Sequence, residues 1–182
     1  MKTNYDWCLE TYIASKPFVK QFRTAVDVGC RDGDYSLPLV EDFEKVHAFD
    51  YRNRMKFNHP KIHYYPYALG DVETKVKAFS GVIVDERDGG VPIEVEQKIL
   101  DNYDFKDVDY IKIDVEGHEL KVLKGAVKTI ERFSPLMVIE ENGSAVFWKK
   151  GKQDEAIDFL KDMGYEIVAK ASQDCVMEKK NG

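Results

Sequence analysis

No apolar run in these 182 residues approaches the roughly 20 positions that a membrane-spanning helix needs, so no span is expected. The opening MKTNYDWCLE lacks the apolar core of a secretory signal, which points to a cytoplasmic chain. Positive charge is in deficit, with 27 Lys and Arg against 33 Asp and Glu and a net charge of −6. Nucleic-acid binding needs a basic stripe, so that class of partner is not expected. Cysteine is scarce. Cys8, Cys30 and Cys175 form an odd, scattered set without metal-ligand spacing and read as reduced thiols. Repeats, low-complexity tracts and linkers are missing too. The remainder is 43% hydrophobic and 33% charged, which suits one soluble domain over residues 1–182.

The chain is organised around TAVDVGCRDGDYS, Thr24 to Ser36. Ala25, Val26 and Val28 predict a short buried strand. Gly29 and Gly33 then permit a tight turn, and Leu37, Val40 and Phe43 follow at helical spacing. A strand, a glycine loop and a helix in an open α/β sheet place free backbone N–H groups at a ligand crevice. Asp27 sits at that strand's end, and Asp50 closes the next strand, Val46 to Phe49. The two carboxylates stand roughly 20 positions apart, the length of one βαβ unit, and Asp50 is placed to accept both hydroxyls of a ribose. A dinucleotide fingerprint needs a third glycine; Cys30, Arg31 and Asp32 fill that space, and Asp32 and Asp34 add negative charge. The D-x-G-x-x-x-G form instead suits S-adenosyl-L-methionine, whose sulfonium is positive. A side chain at Gly29 is expected to take the cofactor's space.

Earlier, Tyr5, Leu9, Tyr12 and Ile13 predict one apolar helical face over residues 5–13, capped by Thr3 or Asn4. A third strand is expected from Ile62 to Tyr67, ending in ALGD, Ala68 to Asp71, which suits either a flat adenine slot or a plain turn. The pattern loosens over residues 72–107, a β-rich insertion with a turn at Asp88-Gly89-Gly90. It suits substrate contacts as well as it suits a surface hairpin or a dimer arm. Order returns at Val108. Tyr110, Ile111 and Ile113 make a strand ending on Asp114, and a helix follows with Leu120, Leu123 and Val127, broken at Gly125. Leu136 to Ile139 ends on Glu140, Glu141 and Asn142. Another helix carries Ile157, Leu160 and Met163 to a stop at Gly164, and Tyr165–Ala169 pairs antiparallel with Cys175–Glu178.

DVGCRDG at 27–33, HAFD at 47–50, ALGD at 68–71, IKIDVEGHELKVLKGA at 111–126 and MVIEE at 137–141 stand in the order of the FkbM-type methyltransferases, which the chain resembles over residues 24–180. The resemblance implies a class I methyltransferase fold: α/β, doubly wound, a mostly parallel seven-stranded sheet with an antiparallel C-terminal hairpin. It implies methyl transfer from S-adenosyl-L-methionine to a hydroxyl of a sugar, glycan or small metabolite. Asp50 stands where a glutamate is more usual, and residues 72–107 match no motif.

The expected cofactor contacts are Asp27, Gly29, Cys30, Arg31 and Gly33 in the loop, Asp50 and Tyr51, Ala68 and Leu69, and Asp114. Asp114 and Glu140 end neighbouring central strands and are the expected reaction centre, one as base and one binding the methionine amino group or orienting substrate. His118 is the remaining candidate base, although a helix-start position facing water explains it as well. Glu116 and Glu119 fit helix N-terminal charges. An alternative, Asp114 with Glu141 and Asn142, resembles the Mg²⁺ site of catechol-type O-methyltransferases. A cofactor-binding protein without catalysis is the other alternative, against which the intact strand-end carboxylates count.

Overall fold

The computed structural model describes residues 2–56, 58–83, 91–141 and 154–180. In chain order they form α1 (Asn4–Ser15), β1 (Thr24–Val28), α2 (Ser36–Asp42), β2 (Lys45–Phe49), β3 (Ile62–Tyr65), β4 (Ala68–Leu69), β5 (Thr74–Phe79), β6 (Val82–Ile83) and β7 (Ile93–Lys98). Then come β8 (Tyr110–Ile113), α3 (Glu119–Lys124), α4 (Val127–Phe133), β9 (Leu136–Glu140), α5 (Glu155–Asp162), β10 (Tyr165–Ala171) and β11 (Asp174–Lys179). The main sheet has seven strands in the order β10-β11-β9-β8-β1-β2-β3. Its β9-β8-β1-β2-β3 core is parallel, and β11 runs antiparallel to both β9 and β10. This is the expected doubly wound sheet with its antiparallel C-terminal hairpin.

Alternation along the strands divides the core. Val26, Val28, Ile111, Ile113, Met137 and Ile139 face α3, α4 and α5, while Ala25, Tyr110, Leu136 and Val138 face α1 and α2. Both faces are covered, so β1 and β8 are buried throughout and read as near-continuous apolar runs. Two charges interrupt those runs at paired positions, Asp27 opposite Lys112. By the same alternation both stand on the α1 side.

Some expectations need correcting. The third strand stops at Tyr65, and Ala68–Leu69 belongs to a second, four-stranded sheet, β4-β7-β5-β6. That sheet is the expected β-rich insertion, though its last strand lies at Ile93–Lys98, past the expected Val91–Val95; the turn at 88–90 lies outside the described residues. Helix α1 buries Thr11, Tyr12 and Ser15, leaving Ile13 exposed. Tyr12 packs into the core as expected, and polar contacts add to it: Thr3 and Asp6 form a capping box, Tyr12 donates to Asp42, and Ser15 bonds the Tyr110 hydroxyl. In α3 the buried apolar residues are Val122 and Leu123, with Leu120 half-buried. The break at Gly125 has a clear cause. A Cβ there would lie 2.0 Å from the Gly70 carbonyl oxygen, so the glycine lets the second sheet's β4 turn press against the helix pair.

Candidate functional site

A cleft of about 1030 Å³ opens at the carboxyl ends of β1, β2, β8 and β9, where open α/β sheets place their ligands. Asp27, Gly29, Cys30, Arg31, Asp50, Tyr51, Ala68, Leu69, Asp114, His118 and Glu140 all line it. Of the expected site residues, only Gly33 does not.

The amides of the glycine loop, expected to be free, are taken within the protein. Gly29 and Cys30 donate their N–H groups to the Phe49 carbonyl, Arg31 donates to Asp50, and Gly33 donates to Cys30. The first three amides tie β1 to β2, and the fourth closes the loop on itself. At Gly29, φ is +86°, and a Cβ would lie 1.8 Å from the Asp114 carbonyl oxygen. What needs the glycine is the approach of the two strand ends, before any ligand. Gly33 (φ +93°) turns the chain into α2. Cys30 is buried, and burial raises its thiol well above the ordinary range, so it is no nucleophile. Asp32 is buried beneath Arg54 and Lys56, with which it pairs, whereas Asp34 lines the cleft.

Asp50 is buried at the β2 end, and its carboxylate is fully engaged. Oδ1 accepts from the Arg52 N–H (2.7 Å) and Nε (2.9 Å); Oδ2 accepts from the Arg31 N–H (3.0 Å) and Arg52 Nη2 (2.6 Å). A ribose can take this carboxylate only by displacing the Arg52 guanidinium. Arg52 was missed in the sequence; an aspartate accepting the backbone N–H two residues on, as Asp50 does here, is a common turn arrangement, but it does not specify an arginine. Beyond it, Tyr51 packs with Ala68, Ala78 and Ile83, a small apolar patch contributed by the second sheet.

The opposite end is acidic. Asp114, Glu116 and Glu140 each place a carboxylate oxygen within 4.8 Å of the others. Glu140 Oε2 is buried with no hydrogen-bond partner among the described residues. Burial, then the charge of Asp114 and contact with it, push the Glu140 carboxyl up to about 9. Asp27 is raised to about 7 by burial, opposed by its bond from the Ser36 hydroxyl (2.5 Å) and by Lys112. The floor is Lys112, buried in β8, 2.6 Å from Asp174 and 3.6 Å from Asp114. Burial works against its charge, but Asp114 and Asp174 outweigh it and raise its pKa. Lys112 and Asp174 were also missed; a lysine inside an otherwise apolar strand was the available signal.

His118 is buried at the start of α3, and its Nε2 lies 2.9 Å from Gln97 Oε1 of β7. It therefore faces the second sheet, and the water-facing reading is wrong. Glu119 is buried and accepts from the N–H groups of Val115 and Gly117, the expected capping role. Of the alternative metal set Asp114, Glu141 and Asn142, Asp114 lines the cleft. Glu141 turns to Lys170 and Cys175, and Asn142 lies outside the described residues. The three carboxylates that do converge offer hard oxygen donors, the type a Mg²⁺ ion accepts.

The Methyltransferase FkbM domain profile matches residues 50–167. No curated protein matches the sequence. Among solved structures, the chain is similar to methyltransferase FkbM from Methylobacillus flagellatus KT, with a TM-score of 0.60 and 18% identity over 88% of this chain. It spans only 45% of that protein's length. It is also similar to a protein from Listeria monocytogenes named as an S-adenosylmethionine dependent methyltransferase (TM-score 0.51, 12% identity, 95% of this chain and 99% of that one). A third is precorrin-6y C5,15-methyltransferase from Geobacter metallireducens (TM-score 0.50, 12% identity, 93% and 86%). At these identities the structures speak for the fold alone.

Proposed function

Since this chain belongs to the FkbM methyltransferase family, we propose that it moves a methyl group from S-adenosyl-L-methionine to a hydroxyl oxygen of a sugar, glycan or small metabolite. The observation that carries this reading is the Asp114–Glu140 pair, two carboxylates closing neighbouring parallel strands where core packing requires no charge. A buried, unpartnered carboxylate oxygen is costly unless something binds it. A cationic ligand end would relieve that cost, so the residues fit the cofactor.

The cofactor would supply a methyl group already activated on a sulfonium. Asp50 would hold the ribose once Arg52 has moved aside. Tyr51, Ala68 and Leu69 would flank the adenine. Asp114, which Lys112 keeps in place, would take the methionine amino group. Glu140 would accept the acceptor hydroxyl's proton at Oε2, the oxygen with no partner. A cation beside it lowers its proton affinity into the range where a base works at neutral pH. His118 would hold the second sheet through Gln97 at the edge of the reaction centre.

The test is Glu140→Gln assayed with a true acceptor. Turnover should fall by roughly 10²–10⁴, the span of a lost general base, while S-adenosylhomocysteine affinity changes only a few-fold. Asp114→Asn should weaken both. EDTA included in the same assay checks the convergent carboxylates: activity lost and then restored by Mg²⁺ moves the reading to metal-assisted transfer. Wild-type turnover by Glu140→Gln would remove Glu140 from the chemistry and leave His118 as the next base to test.

A further inference from the structure

One wall of the cleft has no part in holding the adenosyl cofactor as described above. Asn4, Trp7, Cys8 and Thr11 of α1 line it, at positions i, i+3, i+4 and i+7, so one face of the helix looks into the cavity. The β10–β11 turn, Ser172 and Gln173, lines the cleft beside Asp174. Thr11 donates to Asp174 (2.9 Å), and Asp174 holds Lys112 (2.6 Å), which lies 3.6 Å from Asp114. That chain of contacts sets the α1 wall at the acidic end of the cleft. Burial, then Asp27 and Asp114 among other charges, raises the Cys8 thiol to about 12, so the carboxylates' field reaches this helix face. The residues proposed above to hold the ribose and adenine, Asp50, Tyr51, Ala68 and Leu69, stand at the β2 end and the second sheet, across β1 from β8. At about 1030 Å³ the cavity stands at the upper end of the usual 300–1,000 Å³ for a single ligand, which leaves room for a second.

We propose that α1 and the β10–β11 turn form the acceptor subsite, that its ligand is a neutral sugar ring, and that Trp7 is the selecting side chain; this rests on the methyltransferase reading. Trp7 is 45% exposed on a helix whose first turn is fixed by the Thr3–Asp6 capping box. An indole offers an apolar surface to the C–H face of a pyranose, while the Asn4 and Gln173 amides and the Ser172 hydroxyl suit its hydroxyl edge. Two of the charges beside the wall are paired, Lys2 with Glu10 and Asp174 with Lys112. Lys2 also lies over the Trp7 ring, 4.4 Å from its centre. Asp114 and Glu116 on the floor repel an anionic acceptor, so a phosphorylated or uronic ring is disfavoured.

The full chain, saturated with S-adenosylhomocysteine, is titrated by ligand-observed NMR with the methyl glycosides of glucose, galactose, mannose and rhamnose, and with catechol. At least one glycoside should bind in the millimolar range. Trp7→Ala should weaken it at least tenfold, Trp7→Phe should restore part of the loss, and the S-adenosylhomocysteine Kd should stay within threefold. Equal thermal melting of the variants checks that they fold. The proposal is overturned if no glycoside binds the chain loaded with S-adenosylhomocysteine, if Trp7→Ala binds as wild type does, or if catechol alone binds. Should S-adenosylhomocysteine itself not bind, the methyltransferase reading fails separately. Glycoside binding that still depends on Trp7 would then keep the subsite.

Discussion

Arg52 and Asp50 hold each other in a bidentate pair, and that pair decides how the cleft admits a ribose. Asp50→Ala removes the ribose acceptor and leaves a partly buried guanidinium without its partner. Cofactor affinity should fall by about 1.5–3 kcal/mol, the range for hydrogen bonds to a charged group, and thermal stability should fall with it. Calorimetric titration and a melt on the same sample separate the two losses. Arg52→Gln works in the opposite direction. With the competing guanidinium gone, S-adenosylhomocysteine should bind several-fold more tightly than to wild type. Weaker binding by Arg52→Gln would mean that the guanidinium contacts the cofactor and does not merely occupy its place. The place of Asp50 at the β2 end, lining the cleft, was legible from its spacing after Asp27, one βαβ unit on. Its partner was not, since the side-chain fork that saturates it depends on how the Tyr51–Lys56 segment folds back.

At the scale of elements, the strand and helix order of the main sheet was legible because buried parallel strands announce themselves as short apolar runs between helical periods. The second sheet was legible only as a loose β-rich stretch. β4 is two residues long and pairs in parallel with β7, nearly 30 positions later, so no local pattern marks it. The face of α1 was partly misjudged for a related reason: polar contacts through Tyr12, Ser15 and Thr11 add to its docking, and apolar periodicity misses them. The glycines belong to this scale too. Gly29→Val was expected to block the cofactor and spare the core. With φ at +86° and the Asp114 carbonyl 1.8 Å from the new Cβ, it should instead force the ends of β1 and β8 apart. We expect a melting temperature lower by at least about 5 °C, with binding lost as a consequence. Gly125→Ala is the control. Its Cβ meets the Gly70 carbonyl at 2.0 Å, and Gly125 is not among the residues lining the cleft, so stability should drop while cofactor affinity in the folded fraction holds. Normal stability in Gly29→Val would show that the loop has slack the observed packing does not suggest.

The cleft floor collects Asp27, Asp114, Glu116, Glu140 and Asp174 around Lys112, the one buried cation among the described residues. This surplus of acid ties stability, cofactor binding and pH together. An unfolded glutamate titrates near 4.5, whereas Glu140 in the folded chain keeps its proton up to about 9. Between those values the folded state binds more protons than the unfolded one, so stability falls as pH rises through the window. Asp27, raised from 3.8 to about 7, adds a fall of the same sign over a lower range. Glu140→Gln deletes the first contribution. It should melt at least about 3 °C above wild type at pH 8, and the gap should close as pH drops toward 4.5. The residue proposed to remove the acceptor's proton is therefore one the fold would be more stable without, a common cost of active sites. Binding must reverse part of that cost. A cationic cofactor end placed against Glu140 favours its charged form, so S-adenosylhomocysteine binding near pH 8 should release up to about one proton. Calorimetry in two buffers of different ionisation enthalpy measures that number directly. Glu140→Gln should reduce it, and the release should fade near pH 10, where Glu140 is already ionised before binding. Proton uptake at pH 8 would put the cofactor's charged end elsewhere in the cleft and leave the acidic floor without its proposed role.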